Sequence, residues 1–467
     1  AMTIRYTDSS ISAAQSAANN GLTPLTPKRL PSDHTIVSGD EVWLKGGGPD
    51  YVMPATAIPC NWVSVLNGAV LGWPGTPKPV VRHPNVGDLG TQARVFRLGD
   101  GGNWTVQDII FRNCGGACAN MNAGGGTGIL TVRGVEVYNC GTVFYPSASG
   151  YLTNIGAGGT SALAEVYMFD SVFDGAGSDQ CFFRASNRIE VAHNTFRNPS
   201  LNDDQGDNLQ IFESCTDLWV HHNFFDHRNR DSKQCFIQSL GFAGVTRFEH
   251  NEVQGWQGEV SAQHNAVYSD QRLICRSNYI KTTASAVYYG TAGTRVHGNV
   301  IEMGGGRLNT GGVWGATVVD VRVFNNTMLK TIPGTDVGDA AIRSTTSNAT
   351  IVSRNNIIVG FRRGIRRGAL SVEENNCIFG AENAVVNASA VGIAQTSPVS
   401  VDPTSLIWPD ASLIVPDGAT RATLSTANAL ALAGVYEEGV HLINGRMRPG
   451  WCPVGAYQAV LSRQARA

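Results

Sequence analysis

Glu249-His250-Asn251-Glu252-Val253 and Arg276-Ser277-Asn278-Tyr279-Ile280 are two copies of one pattern, in which an asparagine follows a short β-type run. Successive copies are 20 to 30 residues apart, and their side chains alternate by two rather than at helical spacing. A period of this length built from short strands predicts a β-solenoid. The pattern occurs at Asn194, Asn223, Asn251, Asn278, Asn299, Asn326, Asn356 and Asn376.

The repeated asparagine has a chemical use at a turn between strands. An amide side chain both donates and accepts hydrogen bonds, so stacked asparagines can satisfy buried backbone groups on successive coils. Because the asparagine keeps its position within each copy, we expect a hydrogen-bonded ladder rather than a set of unrelated turn residues.

The composition fits a turn-rich β protein. The 467 residues include 54 glycines, and only 15% of the chain is charged. A net charge of −2 gives no basic excess for neutralising phosphates, which argues against nucleic acid as a partner. No apolar run is long enough to span a membrane, so no membrane partner is expected.

Two segments near the ends of the chain extend the β-helix prediction beyond the repeats. Ser38-Gly-Asp-Glu-Val-Trp43 resembles the entry strand of secreted right-handed β-helices, and Pro453-Val-Gly-Ala-Tyr457 resembles the closing strand of polysaccharide-acting ones. The chain therefore resembles the right-handed parallel β-helix superfamily, in particular pectate-lyase-like proteins and phage tailspike depolymerases. The resemblance implies an N-terminal segment and cap (1–103), β-helix coils (104–380), and final coils with a C-terminal cap (381–467). It also implies an extracellular location, either secreted or on a virion.

A second strand in each coil predicts an exposed binding surface. Alternation places Cys181, Leu209, Cys235, Val267 and Val287 inward. The neighbouring position then points outward, and so does a further row formed by Gln180, Asn208 and Gln234. Aromatic rings edged by amides suit the apolar faces and hydroxyls of sugars, so we expect a glycan-binding groove. The predicted groove residues are Phe182, Gln210, Phe236, Tyr268, Tyr288 and Trp314.

Two polar turns adjoin this predicted groove. The first contains Asp203, Asp204 and Asp207, which are candidates either for holding Ca²⁺ or for sharing a proton as a general acid. The second contains Arg228, Arg230 and Lys233, which are candidates for neutralising a substrate carboxylate or for pairing with the aspartates. Both turns precede their second strand, so we expect them on one edge of the groove.

The segment from Asp207 to Asn223 resembles the pectate lyase signature. Trp219, His222 and Asn223 match it, and His221 stands where lyases usually have aspartate. The resemblance places Gln210 at the position of a calcium-binding aspartate and Lys233 near the substrate-binding lysine. We expect His222 to be structural.

Three function classes remain open. The first is a lyase that cleaves an acidic, uronate-containing polysaccharide, with Arg228, Arg230 and Lys233 neutralising the carboxylate and His264 or Tyr268 moving the proton. The second is a tailspike-type glycoside hydrolase, which needs two carboxylates. The third is a non-catalytic glycan-binding β-helix. The carboxylates available to a hydrolase are Asp179, Asp203, Asp204, Asp207, Glu259 and Asp270.

The ten cysteines support the solenoid more than a metal site. Cys114 and Cys140 occupy matching Asn-Cys-Gly frames, which predicts that they stack. The spacing from Cys114 to Cys118 has no second pair at zinc-finger distance, so no zinc site is expected.

Overall fold

The protein is described from a computed structural model. It describes residues 2–54, 56, 58–83, 94–99, 101–114, 117–121, 127–140, 163–176, 179–183, 185–198, 207–227, 234–256, 265–282, 285–304, 311–315, 320–330, 339–344, 350–354, 356–367, 372–374, 376–379 and 383–387. Within these residues, no helix has the length and apolar character needed to cross a membrane. The predicted C-terminal closing segment after residue 387 lies outside them.

The chain forms two compact units, residues 1–219 with 223–241 and residues 220–222 with 242–467. Strands are numbered in chain order, and the first unit holds part of three parallel sheets and a short fourth one. Its first sheet contains β1 (Ile4–Thr7), β2 (Asp40–Leu44), β5 (Gly68–Gly72), β8 (Asn103–Gln107), β11 (Ile129–Arg133), β13 (Leu163–Phe169), β16 (Ala185–Ala192) and β19 (Cys215–His221). Its second contains β3 (Tyr51–Val52), β6 (Val80–Arg82), β9 (Ile110–Arg112), β12 (Glu136–Cys140), β14 (Val172–Ala176), β17 (Thr195–Arg197) and β20 (Phe224–Asp226). Its third contains β15 (Cys181–Phe183), β18 (Asp207–Phe212) and β21 (Gln234–Ser239), and its short sheet contains β4 (Cys60–Asn61), β7 (Arg94–Leu98) and β10 (Ala117–Met121).

The second unit repeats the same three-sheet arrangement. Its first sheet contains β22 (Gly244–Glu249), β25 (Arg272–Arg276), β28 (Arg295–His297), β31 (Val321–Phe324), β34 (Ile351–Arg354) and β37 (Val372–Glu374). Its second contains β23 (Glu252–Trp256), β26 (Tyr279–Thr282), β29 (Val300–Met303), β32 (Thr327–Lys330), β35 (Ile357–Val359) and β38 (Cys377–Phe379). Its third contains β24 (Asn265–Ser269), β27 (Ser285–Tyr289), β30 (Gly311–Gly315), β33 (Ala340–Ser344), β36 (Arg363–Arg367) and β39 (Asn383–Asn387).

From β13 onward each coil contributes one strand to each of the three long sheets, and strands of the same sheet pair in parallel along the stack. This arrangement confirms the predicted right-handed parallel β-helix. Parallel pairing extends into the predicted N-terminal segment, where Gly68 pairs with Trp104. The helices described are α1 (Ala13–Ala18), which Ser12 caps, and a 3₁₀ turn at Pro31–Asp33.

The predicted asparagine ladder is present and links successive coils. A residue with left-handed backbone, such as Ser277 at φ 57°, precedes the asparagine in the turns that contain Asn194, Asn223, Asn251, Asn278, Asn299 and Asn326. Asn278 Nδ2 donates to Asn299 Oδ1 at 2.9 Å and to the Phe248 carbonyl at 2.8 Å. Asn251 donates to Asn278 Oδ1 from both its backbone and its side chain. Equivalent side-chain bonds join Asn194 to Asn223, Asn299 to Asn326, Asn326 to Asn356, and Asn356 to Asn376.

Replacing Asn278 with leucine should lower the free energy of unfolding by about 1–3 kcal/mol, because the buried groups bonded to the amide lose their partner. Lys281→Gln is the matched control two residues beyond Tyr279. Its side chain is half exposed and makes only a 3.6 Å ion pair with Glu302, so a change within about 0.5 kcal/mol is expected. Urea unfolding of both variants measures the difference, and equal stability would argue against the ladder as a stabilising element.

The interior of each unit is a stack of apolar side chains in register. In the first unit the rings of Phe173, Phe196 and Phe225 stack on successive coils, with centroids 5.2 and 4.9 Å apart. In the second unit Val287 pairs with Val267 and Val313 on its neighbouring strands, and all three are buried. These side chains fill the interior side of the third sheet. A binding site on this sheet would therefore lie on its opposite, outward side.

Candidate functional site

One position on the third sheet of the second unit is partly exposed in strand after strand. In β24, β27, β30 and β33 the fourth residue alone is not buried. These residues pair in register, and the register continues to Arg366 of β36, which is also partly exposed. We call this set the outward row, and it consists of Tyr268, Tyr288, Trp314, Arg343 and Arg366.

The rings of the outward row contact one another. Tyr268 and Tyr288 stack with centroids 4.4 Å apart and planes inclined by 9°. Tyr288 meets Trp314 edge to face at 4.8 Å, and the Arg343 guanidinium lies 5.7 Å from the centre of the Trp314 ring. Trp314 Nε1 donates to Asn265 Oδ1, which fixes the indole at the start of the row's first strand. The row is therefore a continuous surface of rings that ends in two guanidinium groups.

The spacing of the row suits an extended polymer. Neighbouring strands lie about 4.8 Å apart, so each step along the stack presents one new side chain. Such a step is comparable to the length of one sugar residue in an extended glycan. A glycan that ran along the stack would therefore meet about one row residue per sugar.

Tyr268 is coupled to a carboxylate. Its phenol donates to Asp270 Oδ1 at 2.9 Å. Burial, followed by the Asp270 charge, raises the pKa of the Tyr268 phenol well above its usual range, and burial likewise raises the pKa of Tyr288. Both phenols are therefore protonated near neutral pH, and Tyr268 has a carboxylate in place to take its proton.

The structure brings together three of the predicted groove residues, Tyr268, Tyr288 and Trp314, on one exposed row. Their role in substrate binding stays a prediction. Arg343 and Arg366 were missed. The signal was a shared frame, in which a small residue and then Val or Ile precede the row residue. The frame reads Asn265-Ala-Val-Tyr268, Ser285-Ala-Val-Tyr288, Gly311-Gly-Val-Trp314, Ala340-Ala-Ile-Arg343 and Arg363-Gly-Ile-Arg366.

The predicted exposure of Phe236 is wrong. Leu209 pairs with Phe236 rather than with Cys235, so β21 is shifted by one residue from the expected register and Ile237 takes the outward position beside Gln210. Phe236 is fully buried, which removes its large ring from water. Cys235 is fully buried as well, with its sulfur 3.4 Å from His227 Nε2. Gln238 is then buried too, but its amide donates to the Glu213 and Gly241 carbonyls.

Phe182 is also buried, at 4% exposure, although it pairs in register with Gln210, which is partly exposed. Its ring lies 5.8 Å from that of Phe212, so packing between the two rings withdraws it from solvent. Within the first unit, only Gln210 of the predicted groove residues therefore reaches solvent.

The second predicted outward row is wrong for Gln180 and Asn208, which are both buried. Asn208 Nδ2 donates to Gln180 Oε1 at 2.6 Å, and Gln180 Nε2 donates to the Phe173 carbonyl at 3.2 Å. The two amides thus bond each other between successive coils, and Gln180 also bonds the backbone. The Gln234 side chain lies outside the described part of the structure.

Asp207 is 3% exposed and lies next to Asp179 of the preceding coil. Its backbone N–H donates to Asp179 Oδ1 at 2.8 Å. The structure therefore places this candidate for acid catalysis and metal binding out of contact with bulk water. The other candidates from the two polar turns and the next coil lie outside the described residues, namely Asp203, Asp204, Arg228, Arg230, Lys233, Glu259 and His264.

The residues that resemble the pectate lyase signature take part in a ladder turn. His222 has left-handed backbone at φ 55° and Asn223 Oδ1 accepts from Asn194. The His222 ring is exposed and stacks on His250 at 4.9 Å. Its backbone conformation and its stacking on His250 are those of a turn residue. A structural role for His222 stays a prediction.

Comparison with known proteins adds no assignment to this geometry. No protein-family model matches the chain, and no curated protein sequence matches it.

Proposed function

We propose that this chain binds an acidic polysaccharide along the outward row and cleaves it by β-elimination. The single observation that carries the proposal is the register of the row, in which Tyr268, Tyr288 and Trp314 are followed by Arg343 and Arg366. Rings and guanidinium groups in one line match a polymer that repeats both an apolar sugar face and a carboxylate.

Each part of the row has a role in this proposal. The Trp314 ring, inclined by 70° to the Tyr288 ring, offers a face for the C–H surface of a pyranose ring, and the stacked rings of Tyr268 and Tyr288 offer their edges. The guanidinium groups of Arg343 and Arg366 offer paired N–H donors that match a carboxylate in geometry and charge. A neutral glycan would use the rings alone, so the arginines supply the preference for an acidic chain.

Proton transfer is assigned to Tyr268 and Asp270. In β-elimination the C5 proton of a uronate is removed and the 4-linked sugar leaves. The Tyr268 oxygen accepts the C5 proton while its own proton passes to Asp270, to which it is already hydrogen bonded. Tyr268 then donates this proton to the leaving oxygen and takes its original proton back from Asp270, so both side chains return to their starting states.

A hydrolase would instead need two carboxylates across the scissile bond. The outward row presents rings and guanidinium groups, which favours the lyase over the hydrolase. Calcium remains a prediction from the sequence. Of its expected ligands, Asp207 alone is among the described residues, and it is buried beside Asp179.

The test is an assay of the full chain on a panel of polyuronates and neutral glycans, followed by the ultraviolet absorbance of the new C4–C5 double bond. Wild type should form this product from a polyuronate, and Tyr268→Phe should lower the rate about 100-fold or more, the range of general acid–base catalysis. Tyr138→Phe is the matched control, since that phenol also donates to a carboxylate two residues away, Glu136, but lies on β12.

Full activity of Tyr268→Phe would remove Tyr268 from the proton transfer. Cleavage without ultraviolet absorbance would identify the hydrolase. Binding of acidic glycans without any cleavage would leave the non-catalytic glycan-binding β-helix as the function.

A further inference from the structure

Three cysteines of the first unit converge inside the coil. Cys114 follows β9, Cys118 lies in β10 and Cys140 ends β12. The three residues are fully buried, and their sulfur atoms all lie within 4.8 Å of one another. We call this group the cysteine trio.

The stacking of β9 on β12 explains two members of the trio. Arg112 pairs with Tyr138, so the residues two positions later, Cys114 and Cys140, fall one above the other. The Cys114 backbone N–H donates to Cys140 Sγ at 3.4 Å. Cys118 comes from a different sheet, and Cys140 joins the pair from the next coil. The local spacing of Cys114 and Cys118 therefore did not indicate a metal site.

The sulfurs of the trio also contact the backbone. Cys114 Sγ lies 3.6 Å from the Arg112 carbonyl, and Cys140 Sγ lies 3.5 Å from the Tyr138 carbonyl. Strand pairing and these contacts therefore hold the sulfurs next to one another.

Other buried cysteines of the first unit lack this setting. Cys60 and Cys181 are fully buried, and burial raises the pKa of both thiols. Within the part of the chain that the structure describes, the trio is the one place where three cysteine sulfurs lie close enough to share an ion.

We propose that the cysteine trio binds a single Cu(I) ion. Thiolate sulfur is a soft ligand that selects soft cations such as Cu(I). Structural zinc takes four ligands, whereas the described residues bring three sulfurs together in a place sealed from water. When Cu(I) binds, each ligating sulfur loses its S–H proton to solvent and forms an S–Cu bond. Neither copper nor sulfur changes oxidation state.

The experiment uses the full chain expressed in copper-supplemented medium, so that the ion can enter before the coil closes. The protein is purified under reducing, anaerobic conditions, its copper is counted, and affinity is measured by competition with a chromophoric Cu(I) chelator. We expect one Cu(I) per chain in wild type. Cys118→Ser and Cys140→Ser should each lose affinity by more than the roughly 10- to 100-fold that loss of an outer-shell partner costs.

Cys181→Ser is the matched control, because it removes a fully buried cysteine of the same unit that is outside the trio, and it should keep wild-type copper affinity. Circular dichroism checks that each variant is folded, and X-ray absorption of the wild type should show sulfur ligands only. Unchanged copper binding in Cys118→Ser and Cys140→Ser would overturn the proposal. A disulfide within the trio, or a preference for Zn²⁺ with a fourth ligand, would overturn it as well.

Discussion

Replacing Arg343 with glutamine is expected to weaken binding of an acidic oligosaccharide about 10- to 100-fold. The substitution keeps hydrogen-bonding capacity but removes the charge and the paired donor geometry, and a hydrogen bond to a charged group contributes about 1.5–3 kcal/mol. Arg343 also lies over the Trp314 ring, so part of the loss will come from a less ordered indole. Isothermal titration with acidic and neutral oligosaccharides of equal length measures the effect, and the neutral ligand should show little change.

Arg322→Gln is the control for this prediction. Arg322 is a partly exposed arginine of the same unit, but it lies on the first sheet and bonds Asp320 at 3.3 Å. It should bind both ligands like wild type. If the Arg322 and Arg343 variants lose equal affinity, the effect is one of net charge and not of the outward row.

Replacing Asp339 with asparagine should destabilise the fold by about 3–5 kcal/mol, the range for breaking a buried ion pair by removing one partner. The side chains of Lys330 and Asp339 are fully buried and in contact, and Asp339 Oδ2 also accepts the Arg362 N–H at 3.0 Å. The substitution leaves the Lys330 ammonium buried without its counterion. Asp339 directly precedes β33, so the pair also anchors the strand that carries Arg343.

The double variant Lys330→Met with Asp339→Asn tests the origin of this loss. An apolar side chain in place of the ammonium removes the uncompensated charge, so the double variant should regain about 1–4 kcal/mol over Asp339→Asn alone. Urea unfolding of the wild type, the single variant and the double variant gives the comparison. A double variant no more stable than Asp339→Asn would show that the ion pair is not the cause.

The fold and the ladder could be predicted because asparagine recurs at one position of eight successive coils. The interior of a β-helix tolerates an amide there only if it bonds its neighbours, so the repeat itself carries the structure. The same turn also occurs in coils nearer the N-terminus, where no asparagine occupies this position. Ile109, Val135 and Ser171 occupy the equivalent position in earlier coils, each after a residue with left-handed backbone.

The candidate site was predicted less completely, for reasons that lie in the strands themselves. Alternation decides which residues face inward only when the register is known, and Cys235 and Phe236 are both apolar enough to fill the interior. Gln180 and Asn208 look like surface residues until stacking shows that they bond each other. Arg343 and Arg366 were overlooked because a search for aromatic residues cannot find a row that changes from rings to charges.

The most direct test of the account is a crystal structure of the full chain with a bound acidic oligosaccharide. We expect the chain of sugars to run along the third sheet of the second unit, with a pyranose face on Trp314 and carboxylates on Arg343 and Arg366. A carboxylate-bearing oligosaccharide bound to another sheet, or one that contacts neither the rings nor the arginines of the outward row, would contradict it.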